Sequence, residues 1–217
     1  MIVAFEACRP QIRIGYDGAM ASLAPIRLEG ADVALHPAWL EPADADALLC
    51  TLRDDLPWET HHVRLFGRDV PSPRLSCWIG DAGTSYRYSG VRHQPLPWTE
   101  PLQAVRWRLE RETGHRFNSV LANLYRDGRD AMGWHSDDEP ELGPRPVIAS
   151  VSLGGTRRFV LKHREVPTRK LNLPLPHGSL LLMRGDTQRN YRHALPRTAL
   201  SVLPRINLTF RHVHATP

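Results

Sequence analysis

A mainly β domain fronted by helices is what the sequence predicts, its antiparallel strands closing into a sandwich or open barrel. Three observations lead there. From Phe117 onward, short apolar stretches are separated by turn residues at strand spacing. Two earlier segments carry helical periodicity with start and stop signals. The 217 residues contain no repeat, which gives one core of ordinary size that needs no disulfide staples.

Residues 1 to about 35 scatter Gly and Pro without a sustained period and read as an irregular extension, leaving 36–217 as a single domain. The first helix is predicted from Pro42 to about Asp54, with proline in its first turn and Leu48, Leu49 and Leu52 on one side. The second follows Thr99: Pro101 opens it, Leu102, Val105 and Leu109 recur at helical spacing, and Gly114 closes it. The predicted strands are Ser119 to Tyr125, Val147 to Leu153, Arg158 to Lys162, Ser179 to Met183 and Ile206 to Val213. Asp127-Gly128, Gly154-Gly155, His177-Gly178 and Gly185-Asp186 supply turns between them.

Composition narrows the function. Hydrophobic residues are 41% and charged residues 24%, a globular mixture outside the disordered classes. The longest aliphatic run, Leu180 to Met183, falls far short of the roughly 20 residues that cross a bilayer, so no membrane partner is expected. Cys8, Cys50 and Cys77 are odd in number and far apart, which points to a reducing, cytoplasmic setting rather than a disulfide framework or thiolate zinc site. The net charge of +5 permits an acidic partner without demanding one. Only Lys162 and Lys170 are lysines, the other basic residues being arginines, whose forks suit carboxylates and phosphates.

Three fragments carry chemistry. In Trp134-His135-Ser136-Asp137-Asp138-Glu139, His135 and Asp137 are two apart and project to one side of an extended chain. With a second histidine, for which His193 in Tyr191-Arg192-His193-Ala194-Leu195 is the candidate, they form the two-His, one-carboxylate set of non-haem Fe(II) oxygenases. Taken alone, H-x-D equally describes a surface histidine in an acidic turn. The stretch Arg205 to Arg211 alternates strictly, with Ile206, Leu208 and Phe210 on one face and Arg205, Asn207, Thr209 and Arg211 on the other. That is either a half-exposed strand or the wall of a diacid pocket. Asn123 and Tyr125 share a face at the end of the Ser119 to Tyr125 strand, where amide and phenol could donate to a carboxylate or keto oxygen.

Together, and in this order, the fragments resemble the Fe(II)/2-oxoglutarate oxygenases of the AlkB family, closest to the duplex-DNA-acting repair branch. The likeness runs from about Leu56 to Val213 and includes Gly80-Asp81-Ala82-Gly83, Tyr88-Ser89-Gly90, Ile148 to Ser152 and Leu175 to Leu180. It implies a double-stranded β-helix, or jelly-roll, core over about 117–213, behind a nucleotide-recognition lid over about 56–100. It implies iron held by His135, Asp137 and His193, with 2-oxoglutarate and O2 as co-substrates. Arg205 would pair with the distal carboxylate, and Asn123, Tyr125, Asn207, Thr209 and Arg211 would complete that pocket.

The implied reaction is oxidative removal of the methyl group from N1-methyladenine and N3-methylcytosine in DNA, releasing formaldehyde, succinate and CO2 from a chain expected to act as a monomer. Phe66 resembles the finger that fills the gap left by an extruded base. Arg74, Tyr86, Tyr88 and Ser89 match positions near that base, while Asp138 or Glu139 could accept from its exocyclic amine. Arg157, Arg158, Lys162 and Arg164 belong to a basic stretch ending at Lys170 that could contact phosphates. The same chemistry on RNA or single strands, or a non-catalytic reader of damaged DNA, are the competing functions.

Overall fold

The structure is a computed structural model of the chain, and it describes residues 23–65, 68–84, 86–88 and 91–214. Strands β1 (Ala24–Ile26) and β2 (Asp32–His36) precede helix α1 (Pro42–Asp55). Next come β3 (His62–Leu65), β4 (Arg68–Pro71), β5 (Leu75–Gly80), β6 (Tyr86–Tyr88), β7 (Val91–His93) and helix α2 (Glu100–Thr113). The second half holds β8 (Ser119–Tyr125), β9 (Met132–His135), β10 (Ile148–Gly154), β11 (Arg157–His163), β12 (Lys170–Leu175) and β13 (Ser179–Arg184). The one-turn helix α3 (Thr187–Asn190), β14 (Tyr191–Leu195) and β15 (Arg205–Arg211) end the described chain.

Two antiparallel sheets make the jelly roll. The larger has the order β1-β2-β13-β10-β15-β8-β5, and the smaller β12-β11-β14-β9. The hairpins β3–β4 and β6–β7 are separate two-stranded ribbons. One face of the larger sheet carries α1 and α2: Leu48, Leu52, Leu102, Val105 and Leu109 pack there with Val151, Leu180, Leu208 and Phe210. Its other face meets the smaller sheet through Ile148, Leu181 and Met183 against Leu161, Leu173 and Tyr191.

Both helices form where the periodicity places them. Pro42 sits at the start of α1, and α2 ends at Gly114 with a left-handed φ of 72°, a conformation glycine adopts without steric cost. Leu49, read on the same side as Leu48 and Leu52, is half-buried and packs against the core. The irregular reading of residues 1–35 is corrected at its end. Asp32–His36 pairs with Leu180–Arg184, burying Val33 and Ala34 and covering an edge that β13 would otherwise leave open. The six residues between Gly30 and Pro37 are too short a run for alternation to stand out against the scattered Gly and Pro.

Strand β15 is buried along its length, so its polar face lies inside the roll rather than in water. Gly154 ends β10 at φ 85°, where a Cβ would stand 2.3 Å from the Pro204 carbonyl oxygen. Only glycine permits that approach, which sets the start of β15 and hence Arg205.

Candidate active site

Strands β9 and β14 pair so that His135 lies directly opposite His193, their ring centroids 4.2 Å apart. Asp137, just past β9, brings one carboxylate oxygen to 4.0 Å from His135 Nε2 and the other to 4.0 Å from His193 Nε2. All three ligand atoms lie within 4.8 Å of one another. His135 Nδ1 is 2.9 Å from the Gly133 carbonyl, which can only accept, so Nδ1 carries the proton and Nε2 offers its lone pair to the cluster. Burial pushes the His193 imidazole down to a pKa of about 3 and keeps it neutral, as a metal ligand must be. Burial works to raise Asp137, but the Arg211 guanidinium beside it holds its carboxyl below the usual carboxylate range. Arg211 donates to Asp137 Oδ1 at 2.8 Å.

The loop carrying these ligands is fastened from behind. The Asp137 amide donates to Gln188 Oε1 at 3.0 Å, and Ser136 Oγ donates to the Tyr191 carbonyl at 2.8 Å. Arg164 donates to Ser136 Oγ at 2.8 Å and also to Asp138. Arg164 thus clasps the ligand loop and pairs with Asp138. The expectation that Arg157 reaches phosphate is corrected. Arg157 is buried and donates to the carbonyls of Asp127, Asp130 and Pro196, because it is the inward-facing member of an adjacent arginine pair. Arg158 and Lys162 are exposed on β11.

Two cavities meet at the cluster. The inner one, between the sheets, is lined by Asn123, Tyr125, Arg205, Asn207, Thr209 and Arg211, together with the triad. Arg205 is 1% exposed; it donates to Ser152 Oγ at 2.9 Å and Asn207 Oδ1 at 2.6 Å, its guanidinium 5.3 Å from the Tyr125 ring centroid. Burial lowers its pKa to about 10, so it remains a cation at neutral pH, and its Nε has no partner. Asn207 accepts from Ser150 Oγ at 3.0 Å and donates to Thr209 Oγ1 at 2.7 Å. A buried cation without a carboxylate is costly unless an anion joins it, so this donor set fits a dicarboxylate.

The outer cavity, about 250 Å³, shares His135, Asp137 and Arg211 with the inner one. Its walls include Arg74, Ser76, Trp78, Gln94, Met132 and Glu139. Arg74 is buried, donating to Asn123 Oδ1 at 2.7 Å and Ser72 Oγ at 2.8 Å. Glu139 Oε2 is buried without a partner. The sequence reading missed Ser76, Trp78 and Ser150; the first two share a face of β5, and that strand's pairing with β8 is what turns them into the cavity. Tyr86 and Tyr88 lie in β6, whereas Phe66 and Ser89 lie outside the described residues.

Two imidazoles and one carboxylate converging from one side, beside a pocket for a diacid, define a non-haem iron site of the oxygenase type. The chain belongs to the 2OG-Fe(II) oxygenase superfamily, whose model matches residues 32–211. The match extends further toward the N-terminus than the likeness from about Leu56 suggested, and includes β2 and α1. The chain is 40% identical over 194 residues to the mouse alpha-ketoglutarate-dependent dioxygenase alkB homolog 3, covering 85% of this chain and 67% of that protein. It is 39% identical over 212 residues to the human DNA oxidative demethylase ALKBH2, covering 93% and 81%. The solved structure of OsALKBH1 superposes with a TM-score of 0.56 at 17% identity, covering 88% of this chain and all of that one. The protein is thus a 2-oxoglutarate-dependent dioxygenase of AlkB type, using Fe(II) and 2-oxoglutarate. No described helix is long and apolar enough to cross a membrane.

Proposed function

We propose that the protein is an oxidative demethylase of nucleic acid, acting on N1-methyladenine and N3-methylcytosine in DNA. The observation that carries this reading is the pair of cavities meeting at His135, Asp137 and Arg211, one suited to a diacid and the other to a flat cation. Arg205 takes the distal carboxylate of 2-oxoglutarate, with Tyr125 beneath its guanidinium and Asn207 holding one of its amino groups. Asn123, Thr209 and Arg211 complete the polar wall, and Arg211 also keeps Asp137 ionised.

In the outer cavity, which Trp78 lines, Glu139 offers an unpaired carboxylate oxygen to the exocyclic amine of the base. The N-methylated base is cationic, so a buried carboxylate favours it over the unmethylated base. Arg74 positions Asn123 at the boundary between the cavities. When bound, iron and 2-oxoglutarate supply the oxidation of the N-methyl group to a hydroxymethyl, coupled to conversion of 2-oxoglutarate and O2 to succinate and CO2. The hydroxymethyl then leaves as formaldehyde, and the displaced base nitrogen is left uncharged. In this reading residues of about 56–100 make up a nucleotide-recognition lid, to which Phe66, Tyr86, Tyr88 and Ser89 belong by their place in the sequence. The chain's own part is to hold both substrates against the triad and keep water out.

Mass spectrometry of a methylated oligonucleotide incubated with protein, Fe(II), 2-oxoglutarate and ascorbate tests this, using duplex and single-stranded forms. Loss of one methyl with formaldehyde release, absent for His135→Ala, is the expected result. His135-dependent succinate without any methyl loss would keep the oxygenase and reject the substrate. Turnover of single-stranded DNA or RNA but not duplex would select the competing strand preference.

A further inference from the structure

The outward face of the four-stranded sheet carries a pattern that the catalytic reading does not use. Lys162 on β11 lies directly opposite Lys170 on β12 and directly opposite Arg192 on β14. Directly opposed residues share a face, with Cβ atoms about 5 Å apart, and like charges so placed destabilise a sheet. These are the only lysines in the chain, and they are cross-strand partners. All three cations are exposed, and among the described residues none has a carboxylate partner. Their neighbours on the same hairpin do: Arg164 pairs with Asp138 and Arg169 with Glu29. Glu165 in the hairpin turn is exposed and adds one negative charge nearby.

The row is continuous with the active site. Arg192 precedes His193 and Trp134 precedes His135, so each outward side chain adjoins an inward iron ligand. Trp134, 49% exposed, stands on the edge strand β9 two residues out of register with Arg192, beside the row rather than in it. From β14 to β12 the three cations span two inter-strand spacings, about 10 Å.

We propose that this face is a second contact surface for the substrate's sugar–phosphate backbone. Trp134 stacks with a base flanking the target, and Arg192, Lys162 and Lys170 take successive phosphates as the strand runs out over the β9 edge. The partner class follows from the chemistry: evenly placed unpaired cations beside an exposed indole suit a polyanion that carries rings. This rests on the nucleic-acid reading above and revises the expected basic stretch. Arg157 and Arg164 drop out of it, and Arg192 enters.

The test measures binding of a methylated trinucleotide and a methylated single-stranded dodecamer to the anaerobic holoenzyme as a function of salt. Wild type is compared with the triple variant Lys162→Gln, Lys170→Gln, Arg192→Gln and with Trp134→Ala, with 2-oxoglutarate affinity as the gauge of intact folding. The triple variant is expected to lower the salt slope for the dodecamer by about 2, from about 0.7 per phosphate, and leave the trinucleotide slope as it was. Trp134→Ala is expected to weaken the dodecamer about tenfold. An unchanged dodecamer slope, or equal losses at both lengths, overturns the surface while leaving the demethylase reading intact. Failure of wild type to bind or demethylate either oligonucleotide overturns both.

Discussion

The two faces of β15 are both buried, yet only one of them is complete without a ligand. Ile206, Leu208 and Phe210 are fully buried against helices and sheet, and Phe210 stacks on Trp98 with centroids 6.2 Å apart. On the other face Arg205, Asn207 and Thr209 are at most 8% exposed, yet Arg205 keeps an unpartnered Nε and, among the described residues, pairs with no carboxylate. Burial of apolar surface stabilises the first face. The second costs free energy until an anion arrives, so the difference separates what holds the fold from what waits for substrate.

Truncating the complete face should have the largest effect. Phe210→Ala is expected to cost about 3–5 kcal/mol of stability by denaturant unfolding, while the folded fraction keeps its 2-oxoglutarate affinity. A large loss of affinity with little loss of stability would reverse the assignment of the two faces. Behind the ligand loop, Arg164→Ala removes the clasp without touching a ligand. Metal affinity measured by titration should fall about 10- to 100-fold with the melting temperature of the metal-free protein little changed. Unchanged metal affinity would reduce Arg164 to a surface ion pair with Asp138.

The pH dependence sharpens the contrast further. His193 is held neutral in the folded protein at a pKa of about 3, whereas the unfolded chain's histidine protonates near 6.5. Below about 6.5 the unfolded state takes up a proton that the native state refuses, so stability falls with pH until the native pKa is reached. For the metal-free protein this amounts to about 2 kcal/mol between pH 6.5 and 5, and His193→Asn should flatten that part of the curve. An equally steep slope in the variant would place the titration elsewhere.

Much of this division was legible in the chain. The strict alternation of Arg205 to Arg211 sorted the faces of β15, and Ser119 to Tyr125 was read with the bounds it adopts. His135, Asp137 and His193 were found by spacing and order, and the structure closes them into one cluster. What alternation could not say is that the polar face of β15 is buried, since that depends on the smaller sheet lying over it. Nor could it say which of Arg157 and Arg158 faces inward, because adjacent residues on a strand are told apart only by register against β12 and β14. The same holds for Asp138 and Glu139: side by side in sequence, one is claimed by Arg164 and the other reaches the outer cavity. Ser76 and Trp78 were invisible as site residues because their role comes from pairing with a strand more than 40 residues away.

The central claim, that the polar face of β15 is an unfinished site completed by 2-oxoglutarate, is tested most directly by ligand-linked stability of wild type and Arg205→Met, both loaded with Fe(II) without oxygen. Wild type should gain about 2.7 kcal/mol at a ligand concentration of 100 Kd. The variant should start at equal or higher stability, having lost an unpaired buried charge, and gain nothing from the same concentration. A variant that starts several kcal/mol less stable and still responds to 2-oxoglutarate would contradict the account, since Arg205 would then belong to the fold and the diacid would bind elsewhere.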